Sequence, residues 1–147
     1  YIKDEQREAN RLKRSRIQAN KARRNYLDAI DNDVKFKAIF VCYCASNKQD
    51  VLSNLLLDRT IQEKILDEFA IKEPEKFNKL FNNSQVELQA FIEEAIARGE
   101  LVRSEVNQTV LTPEGGFIGA NMKEALAYFS NPENADYKKA LETKLKL

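Results

Sequence analysis

The sequence predicts a mainly α fold: a helical domain with a small β-hairpin, preceded by a long N-terminal helical arm. Three observations carry this. Apolar residues recur at helical spacing through most of the 147-residue chain. Residues 2–30 contain neither Gly nor Pro and are rich in Ala, Arg, Lys, Gln and Glu, which favour helix. β-prone residues alternate with turn residues in residues 101–118, which predicts a hairpin. The expected division is a basic helical arm over residues 1–32 and a mainly helical globular domain over residues 33–147.

The arm's apolar stripe is thin. Ala9, Leu12, Ala19 and Tyr26 share a helix face, but Arg16 and Arg23 interrupt it, leaving little surface to bury. The segment reads as a helix projecting into solvent or lying along a partner. Asp31-Asn32-Asp33 then offers a break and a fresh N-cap. Phe36, Ile39, Phe40, Tyr43 and Cys44 follow at the spacing of a buried helix, while the concentration of β-branched and aromatic residues also permits a strand. Residues 34–45 are core on either reading.

Asp50 is placed to cap a short helix through Leu57. Thr60-Ile61-Gln62-Glu63 has the form of a capping box and opens a helix through Phe69, and Pro74 suits the first turn of the next, which would bury Phe77, Leu80 and Phe81. Ser84-Gln85-Val86-Glu87 has the form of a second capping box, leading into Leu88, Phe91, Ile92, Ala95 and Ile96, with Gly99 as the stop. Residues 101–106 and 109–112 form the predicted hairpin, and Pro113-Glu114-Gly115-Gly116 a turn. Asn121 caps a helix carrying Met122, Ala125, Leu126 and Phe129, which ends at Ser130-Asn131-Pro132. A last helix points Tyr137, Ala140, Leu141 and Leu145 inward. There is no internal repeat.

Charge is distributed unevenly. Residues 1–25 hold nine basic and three acidic residues, a local +6, and the remaining residues hold 15 basic and 20 acidic, a net −5. A cationic terminus on an acidic body has one place to meet phosphate or an acidic protein surface. The chain contains no His, the commonest general base near neutral pH and the commonest metal ligand. Cys42 and Cys44 sit in the apolar run 38–45, as buried thiols do in a reducing compartment, and two cysteines alone cannot close a structural zinc site. Glu93-Glu94 reads as a solvated face, and Gly115-Gly116-Phe117-Ile118-Gly119 as a turn lacking a phosphate-binding Lys. No catalytic site, metal site or cofactor is expected. No stretch approaches membrane-span length and no signal peptide opens the chain, so the expected location is cytoplasmic or inside a virion or other intracellular assembly. Because residue 1 is Tyr, a preceding segment is expected to be missing.

Several helices, then a helix ending in Arg98-Gly99-Glu100-Leu101, then a hairpin, is the order of a winged helix, which residues 60–129 resemble. The resemblance implies DNA binding by the helix before the wing. Glu87, Glu93, Glu94, Glu100, Glu105 and Glu114 against Arg98 and Arg103 argue instead for packing against protein. The overall style, a short α-rich chain with a basic arm, also resembles small accessory proteins of tailed bacteriophages.

The candidate interface is therefore the arm. Arg7, Arg11 and Arg14 fall at i, i+4 and i+7, and Lys13, Arg16, Lys21, Arg23 and Arg24 surround the rest of the cylinder. These eight are expected to contact phosphates of a nucleic acid without reading bases, in a non-enzymatic accessory protein whose acidic body binds protein. The alternative is a structural or assembly subunit, of a phage particle or another multi-protein complex, whose arm lies on an acidic protein surface.

Overall fold

The computed structural model describes the backbone of residues 2–146 and the side chains of residues 4–146; Tyr1 and the Lys3 side chain, both in the segment of net +6, lie outside them. The order is α1 (Ile2–Ile30), α2 (Asp33–Ser46), α3 (Val51–Leu55), α4 (Arg59–Lys72), α5 (Pro74–Asn82), α6 (Val86–Ala97), β1 (Val102–Arg103), β2 (Val110–Leu111), β3 (Phe117–Gly119), α7 (Met122–Ser130), a 3-10 turn (Pro132–Asn134) and α8 (Ala135–Lys146). The predicted class holds: mainly α, with a long N-terminal helix and a small antiparallel sheet.

Residues 34–45 are helix. The Asn32 side chain caps α2 by accepting from the Lys35 amide at 3.2 Å. Phe36, Ala38, Ile39, Phe40, Val41, Cys42 and Cys44 are buried on every side of α2, so it is a central helix and not a surface one. That all-round burial explains the strand-like composition. Its principal partner is α6. One apolar cluster gathers α2 with Ala22, Tyr26 and Ala29 of α1, Leu66 and Phe69 of α4, Phe77 of α5 and the start of α6. A second gathers Ile92 and Ala95 of α6, the sheet, α7 and Leu141 of α8. Helix α6 thus joins the two, one face to each.

Asp50 and Asn121 cap as expected, accepting from the Leu52 amide at 3.2 Å and the Glu124 amide at 3.0 Å. The two expected capping boxes do not form. Helix α4 starts two residues early, at Arg59, behind Asp58, which makes no side-chain cap bond and leaves Thr60 inside the helix. Before α6, the Asn83 side chain accepts from the Gln85 amide at 2.9 Å and Ser84 is merely part of that turn.

The hairpin gains a third strand. β1 pairs with β2 and β2 with β3, all antiparallel. Gly115, at φ +94°, turns the chain between β2 and β3. Gly119 lies in β3 and has a packing reason to lack a side chain: a Cβ there would stand 2.6 Å from the Ala125 amide nitrogen of α7.

Helix α1 is half rod and half core. Residues 4–17 are exposed throughout, whereas Ala22, Tyr26 and Ala29 are buried at 4,3 spacing. The interface escapes a search for large apolar residues because two of its three buried residues are alanines and most of its other contacts are polar.

Candidate nucleic-acid interface

The seat of α1 is made by α4 and α5. Tyr26 Oη donates to the Glu63 carbonyl at 2.9 Å, and Arg23 pairs with Asp67 at 2.7 Å. Asn78, buried on α5, donates through Nδ2 to the Gln18 carbonyl at 3.1 Å and to Gln18 Oε1 at 2.8 Å, while its Oδ1 accepts from Asn25 Nδ2 at 2.9 Å. At the far end Arg59 closes the α1–α2 corner, bonding Asp33 and the Ile30 carbonyl, each at 3.0 Å, with its guanidinium over the Phe36 ring. These bonds fix the direction in which the exposed half of α1 leaves the body.

All eight candidate cations, Arg7, Arg11, Lys13, Arg14, Arg16, Lys21, Arg23 and Arg24, are exposed. They are not equivalent. Arg11 is held by Glu8 at 2.6 Å, an exposed pair that keeps the Glu8 carboxyl below its ordinary range through a side-chain hydrogen bond and the nearby charge. Arg23 belongs to the Asp67 pair and lies over the Tyr26 ring, so its charge is partly spent in docking the helix. Arg7, Lys13, Arg14, Arg16, Lys21 and Arg24 form no ion pair among the described residues. Residues 9–25 include seven basic residues and no carboxylate, so the acidic residues of α1, Asp4, Glu5, Glu8 and Asp28, lie outside this stretch.

Three basic residues that the sequence reading passed over join the surface. Lys72, Lys76 and Lys79 flank α1 across two adjoining clefts, one lined with Ser15, Gln18, Glu73, Pro74 and Glu75, the other with Gln18, Lys21, Asn78, Asn82 and Asn83. They lie far from residues 1–25 in sequence, and only the docking of α1 brings them near. Lys76 is within 3.5 Å of Glu73.

The body's carboxylates need a correction. Glu93 and Glu94, expected on a solvated face, are buried. Glu93 is paired with Arg103 of β1, and Glu94 Oε1 stands 3.0 Å from Lys37 Nζ of α2, out of line for a hydrogen bond, and 4.0 Å from Arg98. Arg103 and Lys37 come from other elements, so helical spacing gave no sign of them; only Arg98, four residues after Glu94, lies on the same helix end. Buried charges are kept this way because an unpaired one is costly. Exposed Glu87 on α6 and Glu105 and Glu114 in the turns joining the strands remain, which still disfavours that region for phosphate.

Cys42 and Cys44 are buried free thiols. Loss of solvation pushes Cys42 up to about 12, with a further contribution from Glu93, and Cys44 up to about 11. They are packing residues, and Cys42 Sγ donates weakly to the Val86 carbonyl. Among the described residues no group of three or more His, Cys, Asp and Glu could hold a metal ion, and no helix is long and apolar enough to cross a membrane. Comparison with family models, curated proteins and solved structures found no match, so the functional reading rests on this geometry alone.

Proposed function

We propose that this chain is a non-enzymatic, nucleic-acid-associated accessory protein that holds the phosphate backbone through α1 and packs against protein through its acidic body. One observation carries the reading: the first half of α1 stands clear of the body, and its cations continue into an acid-free stretch that the docked half holds in place. A helix with this charge pattern displaces counterions from a phosphate strand, which supplies sequence-independent affinity. The reading is tested by gel shift at two salt concentrations with the whole chain and with residues 1–17 removed, a cut that spares the buried Ala22, Tyr26 and Ala29. Binding is expected to be salt-sensitive and to weaken strongly with the cut; binding unchanged by it contradicts the reading.

A second reading, a structural or assembly subunit of a phage particle or other complex, is favoured by exposed apolar side chains: Leu12 and Ile17 on α1, Val106 in the turn between β1 and β2, and Phe117 on β3. It calls for a defined oligomer at micromolar concentration and little affinity for free nucleic acid. Native mass measurement separates the two, and a strictly monomeric chain counts against the second.

A further inference from the structure

The geometry points to a specific track for the phosphate strand: the trough between α1 and α5, and not the outer face of α1. This rests on the reading of α1 as a nucleic-acid-binding helix and adds which side binds and which body residues take part. At 3.6 residues per turn, Arg14, Gln18, Lys21 and Asn25 fall on one side of α1, at i, i+4, i+7 and i+11. The structure fixes where that side points, because Gln18 and Asn25 are the residues that bond Asn78 of α5. Lys13, Arg16 and Arg24 fall on a different face, turned away from the buried row of Ala22, Tyr26 and Ala29. Lys21 and Arg24, three apart, adjoin, but a strand laid along the first row is not centred on the second.

The trough side offers more to a phosphate. Lys72 and Lys76 line one cleft and Lys21 and Lys79 the next, which has a volume of about 590 Å3, and Gln18 and Glu75 belong to both clefts. Ser15, Asn82 and Asn83 add hydroxyl and amide donors of the kind that bond phosphate and sugar oxygens. Arg14 extends the same side beyond the body. The outer face has three cations but only α1 to present them, so a strand there would touch one helix and gain no contact from the body. Two carboxylates stand in the trough. Glu73 is within reach of Lys76 at 3.5 Å, which leaves Glu75 as the group opposing the strand.

The test removes equal charge from the two sides. One variant carries Arg14→Gln, Lys21→Gln and Lys79→Gln, the other Lys13→Gln, Arg16→Gln and Arg24→Gln. Both are titrated by fluorescence anisotropy against a short labelled DNA duplex and the RNA duplex of the same sequence, with circular dichroism to confirm that α1 is intact. The trough variant is expected to weaken binding by roughly tenfold or more and to flatten the salt dependence by about 2 to 3 in log–log slope, the outer variant by less than about 1. Glu75→Gln is expected to strengthen binding. Equal losses from the two variants, a larger loss from the outer one, or a Glu75→Gln variant that binds no better overturns the track while leaving α1 as the binding helix. Absence of binding by the unaltered chain overturns the underlying reading instead.

Discussion

Asn78→Ala should loosen the docked half of α1 without disturbing the apolar core beneath it. Asn78 is 6% exposed and joins three residues: it donates to the Gln18 carbonyl and side chain and accepts from Asn25. Truncation leaves the Asn25 amide group without its acceptor and Gln18 Oε1 without its donor, both in half-buried positions. A buried group so orphaned costs about 1–3 kcal/mol, and partial access of water holds the total within that range. For a chain of this length the loss corresponds to a fall in Tm of about 3–10 °C. Urea denaturation gives the free energy, and amide hydrogen exchange gives its location. Exchange should accelerate in α1 near Gln18 and Asn25, while the amides of α2 should slow or quicken only with global stability. An Asn78→Ala protein with unchanged stability and unchanged α1 exchange would refute the claim that this polar network seats the helix.

Other consequences are as direct. Arg103→Ala leaves the Glu93 carboxylate buried without its partner and is expected to cost about 3–5 kcal/mol in chemical denaturation, with part of the loss recovered by adding Glu93→Gln. Asn121→Ala should lower stability by about 1 kcal/mol through loss of the α7 cap, whereas Thr60→Ala and Ser84→Ala should each stay within about 0.5 kcal/mol; equal losses at all three would mean that the expected capping boxes form in solution. The raised Cys42 and Cys44 fix the sign of an alkaline effect. Between the ordinary thiol value of 9.0 and their folded values of about 12 and 11, the unfolded chain loses protons that the folded chain retains, so stability is full below 9 and declines as pH rises above it. Replacing both cysteines by Ala should shallow that decline in urea melts taken across pH 8–11, and an unaltered slope would contradict their burial.

What the residues revealed and what they hid follow a physical division. Most signals closed within a few positions were readable: Asn32, Asp50 and Asn121 cap their own helices, Pro74 opens α5, and Gly99 at φ +78° ends α6, although the equally local patterns at Thr60 and Ser84 do not cap. Signals requiring a distant partner were not. The ion pair of Glu94 spans α6 to α2, so its local pattern looked like a wet surface. Strand β3 is three residues long and is held by its partner β2, leaving no periodicity to detect. The second half of α1 docks through alanines and amides, whose burial depends on Asn78 and on the shape of α5. The same division runs through the candidate interface. The eight cations of α1 could be named from sequence, but not that Arg11 and Arg23 are already paired, nor that Lys72, Lys76 and Lys79 stand beside them.

The central claim, that α1 is a phosphate-binding helix held in place by its docked half, is tested most directly by the salt dependence of duplex binding by the whole chain. Six cations of α1 lack an ion pair among the described residues, and one strand reaches only some of them. The predicted slope of log affinity against log salt is about −3 to −5. A slope near zero, or no measurable binding at low salt, would contradict it.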